Sequence, residues 1–579
     1  MNTKINPLWD DVNNLPLVLK NSARNFSSLP ALSSEHGVDY SYGELELAAR
    51  QTAVMLLRTG IGQGDKVAIL SENNPHWVIA YFGILATGAT TVPILPDFQG
   101  PEVLSILEHA EARALFVSGK MLSRLEEGLP KSVEWVFRME DFQLLELKRQ
   151  KVIAVSDPNQ ELKKLVVDPT TLGKGEGLYE AGENDLASII YTSGTTGRSK
   201  GVMLTHRNIL SNAKYSWTIH QVVESDRFLS LLPLAHTLEC TIGMMVPLLN
   251  GASIHYIDRA PTASYLKPVL QKVKPTTMLT VPLIIEKVYR TSVRPALTKS
   301  PLMRMLMKPG LTRRLLSRAA ARKLLAFFGG QIRFFGVGGA PLAPDVEKFL
   351  IEGKFPYAIG YGLTETSPLV SGFGPADPVY KSVGTVMKGV TVKIDNPDPV
   401  TREGEIVVSG PNVMLGYYKD EEKTAEVFTP EGFFRTGDLG YRDKHGILYI
   451  RGRSKNMILG PNGENIYPEE IEAVINTREI VNESLVMEYK GKLVARVHLK
   501  LEVMEMLEDR VKHLKENAVE FQKHLKIKAD ELLSELMTQV NQHVARNSKL
   551  QMIILQQEPF EKTPTQKIKR FLYEKVVSD

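Results

Sequence analysis

The sequence predicts an α/β protein in which parallel, doubly wound sheets are covered by helices. Short apolar strand candidates such as Lys66–Leu70 (KVAIL) alternate with helical segments, an order typical of parallel sheets. From about Gly384 onward, short strands are joined by Gly, Pro and Asp turns, which predicts a smaller antiparallel or barrel-like β part. The chain has 579 residues, more than one hydrophobic core normally organises, so at least two domains are expected.

The composition predicts a soluble protein of the cytoplasm. Apolar residues make up 43% and charged residues 23%, and the net charge of +4 is too small to indicate nucleic-acid binding. The single cysteine, Cys240, forms no internal disulfide and no cysteine metal cluster, which fits a reducing compartment. The sequence has neither the apolar stretch of a signal peptide at its start nor a run of about 18 apolar residues for a membrane span.

Residues 191–201 (YTSGTTGRSKG) carry the strongest local signal for ligand binding. Small residues let backbone N–H groups approach a polyphosphate, hydroxyl groups add donors, and Lys200 supplies positive charge. The segment does not match the Walker A pattern, and a plain surface turn rarely combines all of these residues. It therefore predicts a phosphate-binding loop. Its binding residues are Thr192, Ser193, Gly194, Thr195, Thr196, Gly197 and Lys200.

This loop and five further segments resemble the adenylate-forming superfamily, which includes acyl-CoA synthetases, firefly luciferase and peptide-synthetase adenylation domains. The segments follow in the family's order from about residue 38 to the C-terminus. They are FFGVGGAPL (334–342), YGLTET (361–366), FFRTGDLG (433–440), RGRSKNMI (451–458) and TPTQKIKR (563–570).

The resemblance implies two domains that move relative to each other. A large adenylation domain would span residues 1–453, and a smaller, mobile α+β domain would span residues 454–579. Lys455 matches the hinge between them. Rotation of the small domain would present the C-terminal lysine in one half-reaction and the loop at 458–468 in the other.

The resemblance also implies the nucleotide contacts. Tyr361 would stack on the adenine, and Asp438 would accept both ribose hydroxyls, as acidic residues do in dinucleotide folds. Arg453 would contact the ribose or the phosphates. Gly338, Gly339 and Ala340 would form the glycine-rich turn along the adenine face, and Gly360, Gly362 and Thr364 would also bind the nucleotide.

Three residues are expected around the reacting phosphate. Thr195 and Glu365 would hold Mg²⁺, a hard cation that prefers oxygen ligands and phosphates. His236, in the segment LPLAHTLE (232–239), matches a family position near the α-phosphate and the acyl tunnel. A histidine flanked by leucines is also often a satisfied core residue, so both interpretations stay open.

Lys567 is the catalytic candidate. Attack of a carboxylate on the α-phosphate concentrates negative charge on a pentavalent phosphorus, and a cation that touches the acyl oxygen and the phosphate stabilises that state most. No general base is needed, because the carboxylate is already ionised. Gln566 stands where the family usually has glycine, which alters the expected loop geometry and leaves the charge in place. Competing cations are Lys562, Lys569 and Arg570.

The substrate class follows from the residues after His236. Peptide-synthetase domains usually carry an aspartate there for the substrate amine, whereas this sequence has Leu238, Glu239 and Cys240 before an apolar run. The resemblance is closest to bacterial long-chain fatty acyl-CoA synthetases, which implies that ATP activates a fatty acid and that coenzyme A accepts the acyl group. Alternatives are an acyl-carrier-protein acceptor, Glu239 acting in place of the aspartate, and a catalytically silent acyl- or nucleotide-binding protein.

Two stretches have no role in this scheme. The basic stretch (290–333) contains many Lys and Arg residues, interleaved Leu and Met, and no acidic residue. It either lies against an anionic membrane surface or forms solvated basic helices. Residues 503–540 repeat apolar side chains at three- and four-residue steps, which predicts one long helix or a helical hairpin, extending to about 545. That segment packs on its own domain or forms an oligomer contact.

Overall fold

The computed structural model describes residues 7–35, 37, 39–148, 151–153, 178–192, 199–259, 261–460, 464–512, 518–563 and 567–573. Two large mixed sheets with helical cover form most of it, and the described residues of the C-terminal third form three small sheets of four, two and three strands. The predicted α/β fold is confirmed.

Within the described residues, nine strands form the first sheet. Its six central strands, from Tyr357–Gly362 to Pro30–Ser34, run parallel, so their carboxyl ends share one edge. That edge is where ligands bind in open α/β sheets. In sheet order the strands are Thr385–Val386, Leu369–Phe373, Tyr357–Gly362, Phe334–Val337, Thr277–Thr280, Arg227–Ser230, Ser253–Tyr256, Pro30–Ser34 and Tyr40–Ser41.

The described residues place seven strands in the second sheet, with a parallel centre and an antiparallel edge. Leu186–Thr192 pairs antiparallel with Lys200–Thr205, so the predicted phosphate loop joins two neighbouring strands. A Walker A loop would lead into a helix instead. In order the strands are Gly416–Tyr417, Lys200–Thr205, Leu186–Thr192, Thr90–Ile94, Lys66–Leu70, Ala114–Val117 and Trp135–Arg138.

The helices of the N-terminal part begin at recognisable signals. Ser41 and Glu44 form a reciprocal capping box at the start of Tyr42–Arg58, and Asn74 caps Pro75–Ala86. The remaining α-helices are Pro16–Phe26, Gly100–Ala110, His206–Ser216, Val246–Leu249, Ala263–Val273, Pro282–Val288, Arg294–Thr298, Pro301–Leu306, Gly310–Phe327, Pro344–Gly353 and Glu421–Glu426.

The small β part is antiparallel, as predicted, but the barrel-like form is wrong. Over the described residues its four strands make an open sheet whose outer strands do not pair with each other. Four short strands are too few to close around a packed interior. Instead, its apolar face packs against Tyr361 and Val370 of the nine-stranded sheet. The strands are Thr391–Asp395, Gly404–Ser409, Phe434–Arg442 and Leu448–Arg453.

The C-terminal part has its own core. Three strands, Val481–Tyr489, Lys492–Leu499 and Met552–Leu555, are covered by the helices Pro468–Ile475, Leu501–Lys512 and Ala518–Asn541. The predicted long segment is therefore two helices on either side of residues 513–517. The prediction that it packs on its own domain is confirmed, because its buried side chains join the core of the C-terminal sheet. Those side chains are Leu507, Ala529, Leu533, Leu536 and Val540.

The basic stretch is helical and only partly packed. Ser317, Ala321 and Leu324 of helix Gly310–Phe327 are buried. By contrast, four large apolar side chains are 56–74% exposed, namely Leu302, Met305, Leu311 and Leu315.

Among the described residues, no helix is both long enough and apolar enough to span a bilayer.

Candidate active site

Asp438 lies at the centre of a buried polar cluster. It pairs in register with Arg453 on the neighbouring strand, and its Oδ1 lies 2.8 Å from Arg453 Nε. Tyr361 Oη donates to Asp438 Oδ2 at 2.7 Å. Burial raises the pKa of Asp438, and Arg453 and then Tyr361 oppose that shift. Each carboxylate oxygen has a second lone pair, so Asp438 can accept further hydrogen bonds from a ribose.

The glycine-rich turn lies beside this cluster, at the carboxyl end of strand Phe334–Val337. Gly339 has φ +85°, a conformation that favours glycine. A Cβ on Gly338 would come within 3.1 Å of Leu238, and a Cβ on Gly362 would come within 1.8 Å of the Pro368 carbonyl oxygen. Gly362 is therefore required for backbone packing. Gly339 and Ala340 are exposed at the edge of the sheet.

Tyr417 lies between Lys200 and Glu365 and contacts both of them. The Lys200 ammonium lies 5.1 Å from the centre of the Tyr417 ring, and Tyr417 Oη donates to Glu365 Oε1 at 3.0 Å. Desolvation lowers the pKa of Lys200, and repulsion from Lys423 and Lys455 lowers it further. The predicted hinge residue Lys455 thus adds positive charge close to Lys200, and such a cluster of ammonium groups suits a polyphosphate.

Other predicted phosphate-site residues have less structural support. Thr192 ends its strand and pairs with Lys200, and Thr364 begins the short 3₁₀ turn Thr364–Thr366 that carries Glu365. The structure does not describe the remaining loop residues, so those predictions lie outside it. They are Ser193, Gly194, Thr195, Thr196 and Gly197.

Two hydrogen bonds join Lys567 to Thr563. Thr563 N donates to Lys567 O at 2.8 Å, and Lys567 N donates to Thr563 Oγ1 at 3.2 Å. The three competing cations are engaged in ion pairs on the C-terminal part. The pairs are Lys562 with Glu483 at 2.6 Å, Lys569 with Glu561 at 3.8 Å, and Arg570 with Glu472 at 2.6 Å.

Lys567 lies close enough to charged residues of the N-terminal part to interact with them electrostatically. Desolvation lowers its pKa, as does repulsion from Arg453, while Asp438 and Glu365 act in the opposite direction. The residue as a whole is exposed, so water still reaches it. The structure therefore brings the C-terminal lysine to the same place as Asp438, Arg453 and Glu365.

His236 lies near Lys567 in a neutral form. Burial lowers its pKa to about 4, and the charge of Lys567 adds to the shift. Leu238 N donates to His236 Nδ1 at 3.2 Å, so the ring proton resides on Nε2. A neutral imidazole with a free N–H suits a contact with a phosphate or acyl oxygen.

An apolar cavity begins two residues beyond His236. Its volume is about 60 Å³, and Leu238, Gly338 and Gly360 form the end next to the polar cluster. The site thus joins polar groups suited to a nucleotide with an apolar chamber, a combination typical of small-molecule sites.

Tyr417 was missed by the sequence analysis. It follows Glu365 by 52 positions, and only the pairing of Val202 with Tyr417 brings it to Lys200. No local pattern indicates such a contact.

Glu239 is a buried acid beside the site. Ser230 Oγ donates to Glu239 Oε1 at 2.6 Å, and among the described residues Glu239 Oε2 has no hydrogen-bond partner. Burial raises the pKa of Glu239 to about 8 from an ordinary value of 4.5. A protonated, buried carboxyl is a poor substitute for the charged aspartate that binds a substrate amine.

Replacing Glu239 with glutamine should stabilise the protein in a pH-dependent way. Between about pH 4.5 and 8 the native wild type binds more protons at Glu239 than the unfolded chain, so its stability falls as pH rises. The glutamine side chain does not titrate, so the variant does not lose stability as pH rises. Its free energy of unfolding should exceed that of the wild type by on the order of 1–3 kcal/mol at about pH 8. Urea unfolding at about pH 5 and about pH 8 measures this difference. The exposed Glu224→Gln is the control, and a gain that is equal at both pH values would contradict the prediction.

Comparisons with known proteins were made for the whole chain. Residues 19–418 match the family described as AMP-binding enzyme. Long-chain-fatty-acid–CoA ligase FadD15 of Mycobacterium bovis is 32% identical over 482 residues, covering 78% of this chain and 75% of that protein. Long chain acyl-CoA synthetase 6, peroxisomal, of Arabidopsis thaliana is 29% identical over 505 residues, covering 80% and 69%.

A solved structure shares the fold over nearly the full length. It is the o-succinylbenzoate coenzyme A synthetase MenE of Bacillus subtilis, in complex with ATP and magnesium ion. The TM-score is 0.71 at 22% identity, and the match covers 96% of this chain and 98% of that one.

Proposed function

Because the chain belongs to the AMP-binding enzyme family, we propose that it activates a fatty acid with ATP and transfers the acyl group to coenzyme A. The observation that supports this most strongly is the position of Lys567. It lies within electrostatic reach of Asp438, Arg453 and Glu365, and His236, which the charge of Lys567 also reaches, lies two residues before the apolar cavity begins. The domain division at 453/454 and the site residues named above are parts of this proposal.

The first half-reaction forms an acyl-adenylate. A carboxylate oxygen of the fatty acid attacks the α-phosphorus of ATP, the bond to the β-phosphate breaks, and pyrophosphate leaves. Lys567 neutralises the charge that develops between the acyl oxygen and the α-phosphate. Asp438 and Tyr361 hold the nucleoside, and Lys200 and Lys455 hold the leaving phosphates.

The second half-reaction transfers the acyl group to a thiol. The sulfur attacks the acyl carbon, the bond from that carbon to the phosphate oxygen breaks, and AMP leaves with that oxygen. The thiol proton passes to water. Rotation of the C-terminal part about Lys455 withdraws Lys567 and admits the thiol.

Magnesium fits the phosphate site. Tyr417 engages one oxygen of Glu365, and a carboxylate has acceptor capacity on the other. One carboxylate together with substrate phosphates is a common ligand set for Mg²⁺, which supplies charge neutralisation on the leaving pyrophosphate.

Product analysis tests the identity of the acceptor. Purified protein is incubated with ATP, Mg²⁺, a long-chain fatty acid and coenzyme A, and the products are separated by mass. Acyl-CoA and AMP are expected. Acyl-adenylate without acyl-CoA, followed by transfer to holo acyl carrier protein, would support the alternative acceptor.

We also propose that the basic stretch contacts anionic lipid. Leu302, Met305, Leu311 and Leu315 are exposed next to exposed arginines and lysines, and this combination suits the surface of a membrane with negative headgroups. Fatty acids partition into such membranes, so the contact would bring the enzyme to its substrate.

Replacing Arg314 and Arg318 with serine should weaken binding to anionic vesicles. Each basic residue near such a surface contributes about 1 kcal/mol, so the double variant should bind about 30-fold more weakly. Cosedimentation with phosphatidylglycerol vesicles measures this, with the exposed pair Lys444→Ser and Lys549→Ser as control. Binding that is insensitive to salt and unchanged in the variant would contradict the proposal.

A further inference from the structure

Two side chains on opposite sides of the proposed hinge share a buried hydrogen bond. Tyr467 Oη donates to Glu403 Oε2 at 2.7 Å. Tyr467 is 7% exposed, and the Glu403 side chain is 9% exposed. Glu403 directly precedes strand Gly404–Ser409 of the four-stranded sheet, whereas Tyr467 directly precedes helix Pro468–Ile475 of the C-terminal part. The bond therefore joins the two parts of the protein.

Arg451 orients the Glu403 carboxylate for this bond. Arg451 Nε lies 2.7 Å from Glu403 Oε1, so the guanidinium and the tyrosine hydroxyl engage different oxygens of the carboxylate. Arg451 Nη1 also reaches across the hinge to Glu470 Oε1 at 2.9 Å, but the Glu470 side chain is exposed, and exposed ion pairs contribute little. The buried bond from Tyr467 contributes more, because a carboxylate is a stronger acceptor than a neutral oxygen.

The helix that follows Tyr467 is also attached to the segment that carries Lys567. Glu472 lies in this helix, and Arg570 stands three residues after Lys567. Arg570 Nη2 donates to both oxygens of Glu472 at 2.6 Å. The helix itself packs into the core of the C-terminal sheet. Because these contacts connect Tyr467 with Lys567, a movement of the helix away from the four-stranded sheet would take Lys567 with it.

We propose that Glu403 is a positioning residue for Lys567, and that its hydrogen bond with Tyr467 holds the C-terminal part in the orientation for adenylate formation. The orientation in the structure has both this bond and the electrostatic contact of Lys567 with the nucleotide site. Rotation about Lys455 separates Tyr467 from Glu403, so the bond stabilises one orientation only. This inference rests on the proposed function and names a residue that sets the balance between its two half-reactions.

The test measures both half-reactions of Tyr467→Phe in single turnovers. With rapid exchange between the two orientations, the rate of adenylate formation divided by the rate of thiol transfer is proportional to the ratio of their populations. Loss of a hydrogen bond to a carboxylate should lower this rate ratio about 10-fold, while thiol transfer from preformed acyl-adenylate is no slower than in the wild type. Tyr449→Phe is the matched control, because Tyr449 stacks on Tyr441 within the four-stranded sheet and phenylalanine keeps that stack.

A second substitution tests whether Glu403 is the partner through which Tyr467 acts. Glu403→Ala should lower the rate ratio in the same direction, and adding Tyr467→Phe to it should change the ratio by less than about 2-fold, because the shared bond is already lost.

The outcomes separate this inference from the proposed function. If Tyr467→Phe slows both half-reactions equally, leaves their ratio unchanged, or has its full effect in the Glu403→Ala background, the inference is overturned and the ligase function stands. If the wild type forms no adenylate from any acid, the proposed function fails and the inference fails with it.

Discussion

Lys567→Ala is expected to slow acyl-adenylate formation by about 10² or more, because it removes one preorganised charge from the transition state. Transfer from preformed acyl-adenylate to the thiol should be spared, since the proposed rotation takes Lys567 out of the site for that step. Rapid-quench measurement of each half-reaction separates the two effects.

Lys569→Ala is the matched control for this variant. Lys569 lies two residues away and is paired with Glu561, so its loss should leave adenylate formation within a few-fold of wild type. If Lys567→Ala slows both half-reactions equally, Lys567 does not have the role assigned to it. An equal loss of adenylate formation in Lys569→Ala would point to a general effect on the loop.

Asp438→Ala is expected to raise the KM for ATP by about 10² or more, since two hydrogen bonds to a charged group contribute about 1.5–3 kcal/mol each. The variant also leaves Arg453 and the Tyr361 hydroxyl without their partner. Initial rates at several ATP concentrations measure the effect.

Asp443→Ala serves as a control on the same sheet, because Asp443 is a half-buried aspartate that accepts hydrogen bonds from His445 N and Ile447 N in a turn. Thermal unfolding should show that both variants are folded. Unchanged KM for ATP in folded Asp438→Ala would exclude the ribose contact.

The fold was largely predictable because the pattern of apolar residues along the chain indicates the local secondary structure. Buried strands such as Lys66–Leu70 and Phe334–Val337 are short apolar runs between helical patterns, and they occur in the parallel sheets as expected. That the four-stranded sheet stays open could not be predicted from the sequence. It depends on how Val392 and Ile406 pack against Tyr361, which lies on another sheet.

The site was predictable where its residues stand in contiguous motifs. Asp438, Tyr361 and Arg453 belong to three such segments, and the structure brings them into direct contact. The sequence contains no local pattern that indicates contacts between distant segments. The contact of Tyr417 with Glu365 is one example.

The ion pairs of the cations next to Lys567 could not be predicted from the sequence. The sequence TPTQKIKR offers several cations at adjacent positions, and spacing alone does not rank them. Three of these cations are engaged in ion pairs: Lys562 with Glu483, Lys569 with Glu561, and Arg570 with Glu472.

Pyrophosphate release tests the central claim most directly. The protein is supplied with ATP, Mg²⁺ and a panel of fatty, aryl and amino acids, with and without coenzyme A. The account predicts release that is selective for fatty acids, with acyl-CoA formed only when coenzyme A is present. Absence of release with every acid would contradict it and would favour a catalytically silent protein on the same fold.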